Sequence, residues 1–222
     1  MQSNYILGDS WEEIPKLPDD FFRLVLADPP FEISRDNNFS TMGRTMDFGK
    51  WDYNFDQTSW IDLIYPKLKK NGSLVIFNDW KKIGQVAQYA EKVGFIIKRP
   101  LTWVKNNPNP ANAKRLFLQG TEHAVWLVKG DKWVYNSTYH KGYFNYPVQR
   151  SEHPTKKPDG LYSELISILT NPGDFVLDPF SGSGTTGMCA AKLNRNFICI
   201  EKEETYHNIA LAIAKESNEI SN

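Results

Sequence analysis

The stretch Phe175-Val-Leu-Asp178-Pro-Phe180-Ser181-Gly182-Ser-Gly184-Thr185-Thr-Gly187 constrains this chain more than any other. It reads as an apolar strand, a tight glycine turn and the start of a helix. Glycine lets a backbone come close to a ligand, and a helix N-terminus leaves free N–H groups there. Gly182-Ser-Gly184-Thr-Thr-Gly187 fits the dinucleotide fingerprint G-x-G-x-x-G, and Glu201 stands about 20 residues on, where a ribose-binding acid belongs. No Lys follows the last glycine, so this is not a Walker A loop. Position decides against a dinucleotide fold. That fold needs a second half after the fingerprint, and only 35 residues (222 − 187) follow Gly187. Strands from the N-terminal side must complete the sheet, so the order of motifs is permuted.

The rest of the chain supplies those strands. Apolar runs rich in β-formers occur at residues 5–7, 24–27, 73–77, 95–104, 122–128, 175–177 and 197–200. Helical periodicity fits residues 58–69, 81–93, 160–169, 185–193 and 204–215, with Ile61, Ile64, Tyr65 and Leu68 on one face. Pro66 threatens a kink in the first of these, and Asn71-Gly72 and Gly94 sit where helix C-caps belong. Such alternation predicts one α/β domain over residues 1–222, an open and mostly parallel twisted sheet covered by helices on both faces. Two stretches break the alternation, about residues 32–55 and 129–158, and loops of that length in a compact domain are usually functional.

Composition excludes several classes. No charged start precedes an apolar run, and no apolar stretch nears the roughly 18 residues that span a bilayer, so no membrane association is expected. Cys189 and Cys199 fall in core elements, which fits a reducing, cytoplasmic setting. The formal net charge is zero, but residues 98–157 hold eleven Lys and Arg against three Asp and Glu, or +8, and the remainder balances at −8. One basic stretch on an otherwise acidic chain suits an anionic partner.

The second motif is Asp28-Pro29-Pro30-Phe31, at the carboxyl end of an apolar strand. Ligands of open α/β sheets bind beyond that end. Prolines remove N–H donors and fix the backbone, leaving carbonyls free as acceptors. A carboxylate, a carbonyl and an aromatic ring suit a flat base bearing an NH₂ group. Asp-Pro-Pro is also a common turn, so the motif alone does not decide.

Asp-Pro-Pro-Phe followed much later by Asp-Pro-Phe-x-Gly-x-Gly resembles the β group of DNA amino-methyltransferases. His153-Pro-Thr155-Lys156-Lys-Pro158 resembles the family's segment that leads into the helix before the cofactor strand, and Gly49-Lys-Trp51-Asp52 and Trp103-Val-Lys105-Asn-Asn107-Pro-Asn-Pro110 resemble segments of its small adenine-modifying members from restriction–modification systems. The resemblance implies a Rossmann-like methyltransferase fold and S-adenosylmethionine as cofactor. It implies that Asp178, Phe180, Ser181, Gly182, Gly184 and Thr185 line the methionine part, that Glu201 binds the ribose hydroxyls, and that His153, Thr155 and Lys156 close over the methionine carboxylate. Asp9 is either the acid that meets the cofactor's adenine or an N-cap of a short helix near Trp11.

By the same resemblance Asp28 and the Pro29 carbonyl hold the target amino group, with Pro30 stiffening the turn and Phe31 stacking on the base. The scheme uses no covalent enzyme intermediate and no metal. A base inside a duplex cannot reach such a site, so flipping is implied. Lys105, Lys114, Arg115, Lys132, Lys141 and Arg150 are the expected phosphate holders, and residues 129–152 the expected target-recognition insertion. Their aromatics, Trp133, Tyr135, Tyr139, Tyr143 and Tyr146, either reach DNA or form a small satellite core. Asp rather than Ser at position 28 favours adenine N6 over cytosine N4. A non-catalytic nucleic-acid-binding module is the rival from another class. β-Group relatives are often dimers, so a homodimer is one expected assembly.

Overall fold

The computed structural model describes residues 2–32, 54–110, 113–149 and 156–219. The sheet has eight strands: β1 Asn4–Leu7, β2 Phe22–Ala27, β3 Leu68–Asn78, β4 Ile96–Lys105, β5 Thr121–Lys129, β6 Tyr143–Tyr146, β7 Phe175–Asp178 and β8 Asn196–Glu201. Their spatial order is β1-β8-β7-β2-β3-β5-β4-β6. Every neighbouring pair from β1 to β3 is parallel, as is β4 with β6, and only β5 runs against its neighbours. The helices are α1 Ser10–Glu13, α2 Trp60–Lys67, α3 Ile83–Val93, α4 Asp159–Leu169, α5 Thr185–Lys192 and α6 Glu204–Glu219. None of the described helices is long and apolar enough to cross a membrane.

A parallel sheet is buried on both faces, so its strands need apolar residues at every position. β2 shows this: Leu24 and Leu26 join α4 and α5 in one core, and Val25 and Ala27 join α2 and α3 in the other. Each fully buried Leu or Val side chain contributes roughly 1.5–3 kcal/mol. Both cysteines are free and buried on the α5 side, where burial pushes their thiols up.

The α/β architecture and the permuted order agree with the sequence reading, and two local expectations do not. Asn71-Gly72 is no helix cap. The helix ends at Lys67, one residue past Pro66, and β3 begins at once. Between Phe22↔Leu68 and Leu24↔Ser73, β3 advances five residues while β2 advances two. The excess forms a bulge with Asn71 at φ 65°, and a Cβ on Gly72 would stand 2.4 Å from Leu68 Cδ2. Gly94 does cap α3, at φ 120°. The second difference is β6, which lies inside the stretch read as loop. Four residues give alternation too little length to register.

Candidate active site

β1, β8, β7 and β2 are parallel neighbours, so their carboxyl ends bring Asp9, Glu201, Asp178 and Asp28 to one edge of the sheet. The strand order reverses between β7 and β2. From β7 the chain continues outward to β8, and from β2 it continues the other way to β3. Such a reversal opens a crevice. A cavity of about 610 Å³ fills it, and its walls include Asp28, Pro29, Pro30 and Phe31 on one side and Asp178, Phe180, Ser181, Gly182 and Thr185 on the other, with Asp9, Lys156 and Glu201.

On the β7–β8 side the carboxylates rest on neutral donors. Glu201 Oε2 accepts from Gly182 N at 2.7 Å and Oε1 from Glu203 N at 2.8 Å. Burial pushes its carboxyl up against those bonds. Asp178 Oδ1 accepts from Phe180 N at 3.0 Å and Oδ2 from the Thr186 hydroxyl. Burial outweighs both and pushes Asp178 up to about 7. Phe180 meets Trp60, Phe55 and Trp11 at ring-centroid distances of 5.2, 5.4 and 6.2 Å. Gly182 sits at φ 50°, and the buried Ser181 hydroxyl has no partner among the described residues.

Gly184 differs from its expected role, and Asp9 takes one of the two expected of it. Gly184 does not face the cavity: a Cβ there would stand 2.7 Å from Ala210 Cβ and 2.8 Å from Tyr5 Cε1, so close packing on β1 and α6 requires the glycine. Asp9 is the N-cap of α1, accepting from Trp11 N at 2.9 Å, and its other oxygen accepts from Lys202 Nζ at 2.7 Å. It also borders the cavity, so capping leaves it within reach of a ligand.

On the β2 side the carboxylate rests on a cation. Lys157 Nζ donates to Asp28 Oδ2 at 2.6 Å and lies 3.2 Å from Glu122 Oε2. Lys105 Nζ lies 2.7 Å from Glu122 Oε1. Burial pushes the Asp28 carboxyl up and Lys157 opposes the shift. For Glu122 the two lysines outweigh burial and hold it below the usual range. The proline turn is pinned from outside. Gln57 Nε2 donates to the Pro30 carbonyl at 2.8 Å, Asn78 Nδ2 holds Gln57 at 2.8 Å, and Lys82 Nζ donates to the Phe31 carbonyl at 3.0 Å. Among the described residues none donates to the Pro29 carbonyl or to Asp28 Oδ1, and Oδ1 is buried.

Lys156 borders the cavity and pairs with Asp159 at 2.9 Å. His153, Thr155, Arg150 and the segment from Gly49 to Asp52 lie outside the described residues. The expected phosphate holders separate. Lys114 and Arg115 are exposed on the β4–β5 loop, whose Gln119 borders the cavity, and Lys141 is exposed before β6. Lys105 is committed to Glu122 and only 12% exposed. Lys132 is at the wrong end of the sheet for the crevice: its N–H reaches Asn71, beside the Gly72↔Lys129 pair, six residues down β3 from Asn78↔His123 at the cavity. At about 3.3 Å per residue that is roughly 20 Å. Residues 129–136 share that end. Trp133 packs edge-on to Trp126 under Lys98, and Asn136 bonds to the end of α4. Trp133 and Tyr146 thus belong to the fold, while Tyr139 and Tyr143 stay exposed.

A doubly wound α/β domain with a glycine turn at the switch point and a proline-stiffened acid facing it is the architecture of Rossmann-like methyltransferases. A family model described as DNA methylase matches residues 22–212. The chain belongs to that family. It is 31% identical to the Type II methyltransferase M2.DpnII of Streptococcus pneumoniae, over 96% of this chain and 89% of the relative. It is 30% identical to M2.MboI of Moraxella bovis, over 96% and 90%. Among solved structures, the M1.HpyAVI–SAM complex superposes with a TM-score of 0.77 at 36% identity, over 95% of this chain and 98% of that one. The cytosine-N4-specific PvuII DNA methyltransferase shares the fold, at TM-score 0.75 and 21% identity over 95% and 86%.

Sequence reasoning missed Lys157, Glu122, Gln57, Asn78 and Lys82. Of the adjacent Lys156 and Lys157, it chose the outer one. Nothing in Lys-Lys says which side chain turns inward. Glu122 carried a readable signal, an acid opening an otherwise apolar strand.

Proposed function

We propose that this DNA methyltransferase moves the methyl group of S-adenosylmethionine to N6 of an adenine flipped out of duplex DNA. One observation carries the reading: Asp28 lines the cavity that the glycine turn also lines, and its buried Oδ1 has no donor among the described residues. The cavity fits the cofactor. Gly182 holds its backbone against the Glu201 carboxylate, each Glu201 oxygen retains a lone pair for a ribose hydroxyl, and the Ser181 hydroxyl, without a partner among the described residues, can meet a polar group.

The bound cofactor supplies an electrophilic methyl group, and the protein supplies position and electrostatics. The target NH₂ is a poor nucleophile because its lone pair is delocalised into the ring. Asp28 Oδ1 and the Pro29 carbonyl accept its two hydrogens and draw the nitrogen toward sp³. With the methyl group supplied by the bound cofactor, the target nitrogen would gain positive charge and would have to shed one proton. Asp28 Oδ1, already its acceptor, is placed to take it. Phe31 offers a face for stacking. Asp at position 28, where cytosine-N4 relatives lean to Ser, supports adenine. We further propose the cytoplasmic setting that the two core cysteines suit and the homodimer that the family resemblance implies.

Incubation with methyl-labelled S-adenosylmethionine and unmethylated duplex DNA, followed by nucleoside mass spectrometry, tests the reading. N6-methyladenine is expected. N4-methylcytosine would overturn the base assignment, and no methylated nucleoside would overturn the proposal.

A further inference from the structure

Lys157 is only 4% exposed. An ammonium taken out of water costs several kcal/mol unless its partners compensate. Its partners come from two strands: Asp28 at 2.6 Å, past β2, and Glu122 at 3.2 Å, on β5. Lys105 on β4 holds the far oxygen of Glu122 at 2.7 Å. The Phe31 and Phe77 rings close over the ammonium at 5.2 and 5.4 Å. The result is a row of alternating charges, Asp28–Lys157–Glu122–Lys105, drawn from four segments and ending at Asp28, a residue of the cavity wall whose enclosed Oδ1 has no donor among the described residues.

We propose that Lys157 is a positioning residue for methyl transfer: it keeps Asp28 ionised and fixes the carboxylate so that Oδ1 meets the target amino group, with Glu122 and Lys105 anchoring the ammonium. The proposal rests on the reading of Asp28 as acceptor for that group. Asp28 can help the reaction only as an acceptor. Protonated, it would offer an O–H and lose its pull on the NH₂ hydrogens. Burial drives it toward that protonated form. A cation on Oδ2 opposes the drift and leaves Oδ1 as the free lone-pair site. Rotating the carboxylate would break a charge-assisted bond in an enclosed place, which makes the orientation stiff. The other acids near Asp28 work against its ionisation, Glu122 and, when ionised, Asp178, while the enclosed Tyr162 hydroxyl stays neutral. Lys157 is the cation that offsets them.

The test is the pH dependence of single-turnover methyl transfer, with cofactor affinity measured by calorimetry. Wild type should show an acidic limb where Asp28 ionises. In Lys157→Met that limb should move up by about one unit or more, since an opposite charge at this range shifts a carboxyl by roughly 1–3 units. Cofactor affinity should stay within about twofold, and transfer should recover as the pH is raised. Lys157→Arg should keep the limb near its wild-type place. Glu122→Gln should move it the other way, because Lys157 then serves Asp28 alone. An equal loss at every pH in Lys157→Met, or a loss that tracks cofactor affinity, would overturn the proposal. Should Lys157→Met fail to fold, Glu122→Gln decides, and an unmoved limb overturns the proposal there too. Retained transfer in Asp28→Ala, or a wild type with no acidic limb, would instead overturn the reading of Asp28 itself.

Discussion

Asp178 and Glu201 on one side of the crevice, and Asp28 and Glu122 on the other, are all enclosed carboxylates, and they are held in opposite ways. The first pair rests on backbone N–H groups and a threonine hydroxyl. The second is threaded on two lysines. Neutral donors fix geometry without settling charge, so burial still raises Asp178 and Glu201. That tolerance suits a half that meets hydroxyls and a ligand bearing its own positive charge: a bound cation can restore ionisation. The other half meets a neutral amine and gets no such help, so its cation must be built in. On the proposed reading, the two halves line one cavity and divide the work between binding and activation.

Breaking the division should give the largest effects. Asp28→Ala should lower transfer by about 10²–10⁴-fold while calorimetry finds cofactor affinity nearly unchanged. Gly182→Val should do the reverse. A β-branched residue at φ 50° is strained by roughly 1–3 kcal/mol, and relieving the strain shifts the backbone N–H that Glu201 accepts. Cofactor affinity should fall about tenfold or more. Lost cofactor binding in Asp28→Ala would show that the halves are not separate.

A smaller effect sharpens the contrast within the binding half. Asp178 is raised from 3.8 to about 7 in the folded chain. A carboxyl whose folded value lies above its unfolded one contributes stability that is full below the unfolded value and is lost as pH rises through the folded value. The cofactor-free protein should therefore lose stability from this group between about pH 4 and 7, by up to about 1.4 kcal/mol per pH unit. Asp178→Asn keeps an acceptor for Phe180 N and removes the titration. Urea unfolding should show the variant gaining on wild type across that window, and a flat difference would sink the account.

Legibility in the sequence followed range. β2, β7 and the glycine turn could be read because a strand, its turn and its acid lie within a dozen residues, and period and local turn chemistry act at that scale. The permuted order could be read because it is a count of residues. The row from Asp28 through Lys157 and Glu122 to Lys105 could not, since it joins positions up to 129 apart in the chain and is created by the sheet order. Gly184 shows a subtler limit. Its need for glycine was legible but its reason was not, because Ala210 and Tyr5 arrive from opposite ends of the chain.

The same limit governs the basic stretch. Charge counting put Lys114, Arg115 and Lys132 on one surface, yet β5 runs between them and carries Lys132 to the far end of the sheet. The β4–β5 loop keeps Lys114 and Arg115 exposed next to Leu116 at 65% and a fully exposed Phe117, at the edge of the crevice. On the proposed reading, phosphates flanking a flipped base would lie near that edge. Each lysine or arginine that releases a counterion lowers the slope of log affinity against log salt by about 0.9. The double change Lys114→Ala with Arg115→Ala should reduce the slope by about 2 and weaken duplex binding several-fold, with cofactor affinity unchanged. Lys132→Ala should leave the slope where it is. Equal slopes lost at both places, read by fluorescence anisotropy over a salt series, would mean that DNA wraps around the far end of the sheet and that residues 129–136 read it after all. A loss confined to Lys114 and Arg115 would place the phosphate contacts at the crevice and leave residues 129–136 to hold the sheet edge.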